Sequence, residues 1–263
     1  MAVSPIMNVM IRAAEKAARG LLRDFNEVER LQVSKKGPGD FVTAADKRSE
    51  EVIYEELRKA KPDFSFMMEE SGQIKGNDRE HVWIIDPLDG THNFMHGVPH
   101  WSISIALEQR GQVIAGLVYD CAKNEMFTAE KGTGAWLHGN KRLRVSGRNV
   151  LESCMINYGQ PMNDSSNRAQ FYKEVDAVSR YAMVRRFGSA ALDLCYVAAG
   201  RIDAYWETGV KAWDVAAGHL IVKEAGGMST SIHSEENPVH NREILAANQQ
   251  IYTDLRKLIK NAA

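Results

Sequence analysis

From Phe64 to Val145 the chain carries short apolar runs one after another, and this succession constrains the fold more than any other feature of the sequence. Phe64 to Met68 and Val82 to Ile85 are short enough to be buried strands rather than helices. Trp101 to Leu107 and Val113 to Tyr119 suit neighbouring strands joined through Gly111. Glu125 to Ala129, Ala135 to Leu137 and Leu143 to Val145 continue a meander, with Gly139-Asn140 as a turn. A sheet of this kind needs a covering layer, and the preceding sequence offers one.

Ser4-Pro5 has the form of an N-cap followed by proline at the first helical position. Ile6, Val9, Met10, Ala13, Ala17, Leu21 and Phe25 then recur at helical spacing. Lys35 to Gly39 reads as a loop, and Thr43 to Lys59 as a second helix with Val52, Ile53 and Leu57 on its buried side. In the second half, Cys154 to Asn157 and Met183 to Phe187 read as strands around a helix at Asn167 to Ser179. Ser189 caps a helix through Ala199, stopped by Gly200. Ile202 to Trp206 reads as a strand, Val215 to Ala225 as a helix ended by Gly226-Gly227, Ile244 to Ala246 as a strand and Gln249 to Ile259 as a helix. No repeat or linker interrupts this order. It predicts an α/β (α+β) fold of layered sheets with helices between them, rather than a barrel or a bundle.

The formal net charge of -1 provides no overall basic field to hold nucleic acid or an anionic membrane. Three well-separated cysteines, Cys121, Cys154 and Cys195, form no Cys-x-x-Cys and suggest free thiols in a reducing cytoplasm. The N-terminus does not read as a signal peptide, and no apolar run approaches the roughly 18 residues of a membrane span. The expectation is a soluble, cytoplasmic protein.

The chemistry concentrates in Trp83-Ile84-Ile85-Asp86-Pro87-Leu88-Asp89-Gly90-Thr91, where an apolar strand ends in two carboxylates. Pro87 stiffens the turn between them, and Gly90 lets a backbone N–H approach an anion. A following helix N-terminus would add partial positive charge where a phosphate could sit. Glu69-Glu70-Ser71 and Trp213-Asp214 are further acidic features. If Glu69, Asp86, Asp89 and Asp214 converge, each like-charge pair at about 4 Å costs roughly 4 kcal/mol at an effective dielectric of about 20. Protons or cations must then relieve them, and hard oxygen donors favour magnesium or calcium.

Asp86-Pro87-Leu88-Asp89-Gly90-Thr91, Glu69-Glu70-Ser71, Trp213-Asp214-Val215-Ala216-Ala217-Gly218, Asp40-Phe41-Val42-Thr43-Ala44-Ala45-Asp46 and Gly188-Ser189-Ala190-Ala191 together resemble the inositol monophosphatase family over nearly the whole chain. The resemblance is closest to bacterial members, one of which also acts in ribosomal RNA transcription. It implies an alternating αβαβα five-layer sandwich of the sugar phosphatase type, one domain over 1–263 with a metal and phosphate half (1–147) and a substrate half (148–263). It also implies a homodimer using two or three Mg²⁺ ions and inhibited by lithium. By motif, Glu69, Asp86, the Leu88 carbonyl, Asp89 and Asp214 would ligate metal. Asp46, Thr91 and Glu69 would form the catalytic group, with Asp46 and Thr91 positioning the attacking water. Gly90 and Thr91 would contact phosphate. Ala190 and Glu207 would meet the polyol beside Asp214, with Gly188 and Ser189 shaping that wall. Lys35 matches a loop that approaches the site.

Plainer readings compete residue by residue. Thr43-x-x-Asp46 fits a capping box, Asp214 an N-cap, and Glu69-Glu70 a solvated pair. His92, His96 and His100 lie in a turn-rich loop and read as surface or supporting histidines, His92 standing where the family often has threonine. Arg185-Arg186 suggests an interface or an ion pair, and Cys195 a core filler. Asn157 to Pro161 and Ser229 to Pro238 depart from common family forms on the substrate side. The leading expectation is Mg-dependent hydrolysis of myo-inositol 1-phosphate. Fructose 1,6-bisphosphate, histidinol phosphate and nucleotide phosphates are alternative substrates, and a binding protein modulating ribosomal RNA transcription is an alternative role with the transcription machinery as partner. No membrane or direct nucleic-acid binding is expected. A haloacid dehalogenase site needs two acids two residues apart, whereas Asp86 and Asp89 are separated by three positions.

Overall fold

The computed structural model of the chain describes residues 3–27, 33–37, 40–160, 168–234 and 236–262. Helix α1 (Pro5–Phe25) starts where the sequence predicts, with the Met7 N–H donating to the Ser4 hydroxyl at 3.0 Å. Helix α2 (Ala44–Ala60) lies against it, tied by Arg48 to Asp24 at 2.6 Å. Between them, β1 (Val33–Gly37) and β2 (Asp40–Thr43) pair antiparallel. The expected loop at Lys35 to Gly39 is thus partly strand: Lys35 to Gly37 belong to β1, where β-branched and aromatic residues flank the glycine-proline segment, and residues 38 and 39 lie outside the described residues.

The large sheet contains β3 (Ser65–Met68), β4 (Gly72–Ile74), β5 (His81–Asp89), β6 (Ser102–Gln109), β7 (Gln112–Asp120), β8 (Glu125–Glu130), β9 (Gly134–Leu137) and β10 (Lys141–Arg142). Its order is β10-β9-β8-β7-β6-β5-β3-β4, antiparallel except for the β3–β5 pair. The short α3 (Thr91–Met95) follows β5 directly. The expected strand at Leu143 to Val145 does not form: the Leu143 N–H reaches the Ala135 carbonyl, whereas Val145 turns away to that of Ala225.

The smaller sheet, ordered β12-β11-β13-β15-β14, combines β11 (Met155–Tyr158), β12 (Met183–Arg185), β13 (Ala204–Thr208), β14 (Met228–Thr230) and β15 (Glu243–Ala247). The helices of this half are α4 (Arg168–Ser179), α5 (Ala190–Ala198), α6 (Ala212–Glu224) and α7 (Tyr252–Asn261).

Alternation along the strands sorts the side chains into three cores. Trp83, Ile85, Ile103, Ile105 and Leu117 face α1 and α2. Ile84, Ala106, Val118 and Phe127 point the other way, onto α5 and α6, which also cover Tyr205, Ile244 and Ala246 of the smaller sheet. Ile156, Ala204, Trp206 and Leu245 fill the outer core beneath α4 and α7, with Val178, Leu255 and Ile259. The sequence of layers is helix, sheet, helix, sheet, helix, as expected. The α5–α6 layer is shared by both sheets, so elements from both halves of the chain can meet at its edge.

Candidate active site

Strand β5 does not stop at Ile85. It continues through Asp86-Pro87-Leu88-Asp89 as a bulge: Asp86 pairs with Ser104 and Asp89 with Ser102, so one extra residue is accommodated. Pro87 has no N–H to give the ladder, which suits a bulge. The Leu88 N–H turns inward to Asp86 Oδ1 at 3.0 Å, and the Pro87 carbonyl accepts from the Ser49 hydroxyl of α2 at 2.9 Å. At the next position of α2, the buried Glu50 carboxylate accepts the Glu70 N–H at 2.8 Å, while the Glu69 N–H donates to the Ile85 carbonyl at 3.2 Å. A single helix face, bearing Asp46, Ser49 and Glu50, therefore fixes both the bulge and the Glu69 turn.

The acids converge electrostatically. Glu69 and Asp86 share a hydrogen bond. Burial pushes Glu69 well above the usual carboxylate range, aided by the charges of Asp214 and Asp46. Asp86 is raised likewise by burial, then by Glu69, Asp89 and Asp214. Burial pushes Asp89 up to about 6 against two donors, the Ser189 hydroxyl and the Ala191 N–H at 2.9 Å. Asp214 rises to about 8 through burial, opposed by the Lys211 N–H at 2.6 Å and reinforced by Asp89 and Glu207. Among the described residues, no three acidic, histidine or cysteine side chains already surround a common ion-sized point. Asp89 and Asp214 are turned towards protein donors, and Glu69 and Asp86 towards each other.

Beside the acids lies a cavity of about 490 Å³. Asp89, Gly90, Thr91, Gly188, Ser189, Ala190, Glu207 and Asp214 all line it, as the motifs imply; Asp46, Glu69, Asp86 and Leu88 do not. Gly90 has φ 91°, left-handed backbone that favours glycine, and a Cβ there would come within 3.0 Å of the His100 carbonyl. The turn it permits starts α3, and the Thr91 hydroxyl donates to the Leu88 carbonyl at 3.0 Å. Ser189 is the N-cap of α5, so the start of that helix also faces the cavity. Lys35 lies in β1 opposite Phe41.

His92 lines the cavity, His96 is exposed and His100 is buried behind the wall, where burial lowers it to about 4 and keeps it neutral. Arg186 reaches the cavity while Arg185 does not. Cys195 is buried in the shared core as expected.

Sequence reasoning missed several lining residues. The Asn93 amide nitrogen donates to the carbonyls of His100 and Phe187, both at 2.8 Å, joining the turn after β5 to the wall before Ser189. Asp193, one helical turn after Ser189, accepts from Asn157 at 2.9 Å and is pushed by burial to about 8. Tyr205 stands two residues before Glu207 on β13 and donates its hydroxyl to that carboxylate. The alternation of strand residues was the available signal for Tyr205, and helical spacing the signal for Asp193.

Comparison with known proteins agrees with this architecture. The model of the inositol monophosphatase family matches residues 2–262. The inositol-1-monophosphatase of Mesorhizobium japonicum is 48% identical, over 99% of this chain and 98% of its own length. A protein named Nus factor SuhB from Pasteurella multocida is 42% identical over 98% of this chain and 97% of its own. The crystal structure of the extragenic suppressor protein SuhB from Bartonella henselae superposes with a TM-score of 0.95 at 46% identity, covering 99% of this chain and all of that one.

Proposed function

The chain belongs to the inositol monophosphatase family, and from that premise we propose that it is a magnesium-dependent phosphomonoesterase acting on a small hydroxyl-rich alcohol, with myo-inositol 1-phosphate its leading substrate. The observation that carries this reading is the crowding of carboxylates beside the cavity, with Asp89 and Asp214 on its wall, where burial first and then one another's charge raise their pKa. Such a set is relieved by protons or by divalent cations, and its all-oxygen chemistry fits a hard ion. Glu69, Asp86, the Leu88 carbonyl, Asp89 and Asp214 would hold two or three Mg²⁺ ions. When bound, these ions lower the pKa of water and stabilise a leaving alkoxide.

The chain's own groups complete the site. Gly90 and the first turn of α3 offer backbone N–H groups to phosphate. Thr91 and Asp46 position the water for in-line attack, the Thr91 hydroxyl being anchored on Leu88. Ser189 fixes Asp89, while Ala190 and Glu207 meet the hydroxyls of the alcohol, with Gly188 shaping the wall beside them. Water attacks phosphorus directly, so no phosphorylated aspartate forms; trapping one during turnover would refute this route.

The test is phosphate release by purified protein from myo-inositol 1-phosphate, fructose 1,6-bisphosphate, histidinol phosphate and nucleotide phosphates, with Mg²⁺ and with chelator. The expected result is metal-dependent release, fastest from the inositol ester. Turnover persisting in chelator, or confined to nucleotides, would overturn the proposal. A second role, binding the transcription machinery, is favoured by the 42% identity to proteins named Nus factor SuhB. Cellular function retained in an Asp89→Asn variant would separate that role from catalysis. No helix among the described residues is long and apolar enough to cross a membrane; we place the enzyme in the cytoplasm as a single-domain chain that forms a homodimer.

A further inference from the structure

Glu207 is a half-buried carboxylate on the cavity wall, and its surroundings restrict it from two sides. Tyr205 is 1% exposed and lies two residues earlier on β13, so both side chains leave the strand on the same face. Its phenol donates to Glu207 Oε2. Directly after the adjacent strand β11 comes Gly159, whose N–H donates to the Trp206 carbonyl at 3.0 Å and so seats its Cα against the same carboxylate. A Cβ at Gly159 would lie 1.9 Å from Glu207 Oε2. Only a residue without a side chain leaves room for the carboxylate where it stands.

We propose that Tyr205 is a positioning residue for substrate recognition, its phenol and the bare Cα of Gly159 clamping the Glu207 carboxylate in the orientation that receives the alcohol's hydroxyls. The inference rests on the polyol-phosphatase reading of the cavity. An ionised carboxylate has about four lone-pair sites. The phenol occupies one of them and leaves the others to accept hydrogen bonds from vicinal hydroxyls. It also meets the need of a buried tyrosine for a polar partner. A glutamate has three side-chain torsions, so release from this clamp would spread its carboxylate over several rotamers that a bound alcohol must then reselect. Burial raises the Glu207 pKa to about 7, and the hydrogen bond from Tyr205 opposes that rise. Because the clamp acts on the alcohol and not on phosphorus, its loss should appear in KM rather than in kcat.

The test is steady-state kinetics on myo-inositol 1-phosphate with saturating Mg²⁺, using Tyr205→Phe, Glu207→Gln and the double variant. Tyr205→Phe should raise KM about tenfold, the loss of roughly one well-placed hydrogen bond, with kcat changed by less than about twofold. The double variant should have a KM within about twofold of Glu207→Gln alone, because one residue acts through the other. Gly159→Ala, pressing on the carboxylate from the opposite side, should give the same KM-selective loss and serves as the second probe. An unchanged KM in Tyr205→Phe, a fall in kcat matching the rise in KM, or fully multiplicative effects in the double variant would each overturn the proposal. A wild-type protein that releases no phosphate from this ester would remove the functional reading, and this inference with it.

Discussion

Replacing Asp89 with asparagine should stabilise the metal-free protein while abolishing its activity. Both hydrogen bonds that hold Asp89, from the Ser189 hydroxyl and from the Ala191 N–H at 2.9 Å, land on Oδ2. An asparagine whose carbonyl oxygen takes that place keeps both and loses only the charge. Burial penalises that charge, raising the carboxyl from its ordinary 3.8 to about 6. A folded-state pKa above the unfolded one means that the native protein binds the proton more tightly, so stability falls as pH rises. The cost is absent below the ordinary value, grows up to about 6 and is fully present above it. At about 1.36 kcal/mol per tenfold change in proton affinity, it reaches about 3 kcal/mol at pH 8. Urea unfolding in chelator should show the variant more stable by about that amount at pH 8 and by about half as much at pH 5. In saturating Mg²⁺ the order should reverse, since the proposed metal-ligand set includes Asp89 and only the wild type keeps it whole. A variant less stable than wild type at pH 8 in chelator, with an unchanged m-value, would refute the claim that burial strains this acid.

Three further outcomes follow from single contacts. Ser189→Ala removes both the α5 N-cap and a donor to Asp89; it should cost about 1 kcal/mol in thermal or urea unfolding and lower kcat well beyond what that loss explains. Gly116→Ala would set a Cβ 2.9 Å from the Ala217 carbonyl oxygen, pushing α6 off the large sheet at a cost of about 1–3 kcal/mol in a urea titration. His240, in the 3-10 turn Pro238–His240, meets Glu108 at 2.7 Å, and that hydrogen bond raises its pKa. Its contribution should be present below the ordinary histidine value and lost as pH rises through the raised one. Because the histidine is largely exposed, His240→Gln should cost less than about 1 kcal/mol at pH 5.5 and almost nothing at pH 8.5.

The legible part of the site was its conflict with burial. An apolar strand running into Asp86 and Asp89 stands out because acids are seldom placed on a buried strand without a use, and β5 does bury both. The layered fold was legible for a related reason, since runs such as Trp83 to Ile85 and Ile103 to Leu107 must be covered on both faces. The partner assigned to each acid was not. Ser49 and Glu50 look like solvated helix positions, and apolar spacing put Val52 on the inner face of α2. The structure packs a partly buried Val52 against the core beside the buried Ile53 and Leu57, and it also buries Asp46, Ser49 and Glu50 on that helix, because the backbone of the β5 bulge and of the Glu69 turn needs a donor and an acceptor there. Asp214 is not the N-cap that the sequence suggested, because α6 starts three residues earlier than expected with Lys211 as its N-cap, but its place at the third helical position still joins a capping role to the site. It lies in the first turn of a helix beginning at Ala212, caps the Lys211 N–H, and from the same position adds its charge to Glu69 and Asp86. A residue that caps a helix end is held at a fixed point, and a fixed point is what a ligand to a shared ion requires. Where a strained acid also has a structural anchor, the anchor therefore belongs to the chemistry. The same logic selects Ser189 for Asp89 and Tyr205 for Glu207, each an anchor that only the folded chain brings into view.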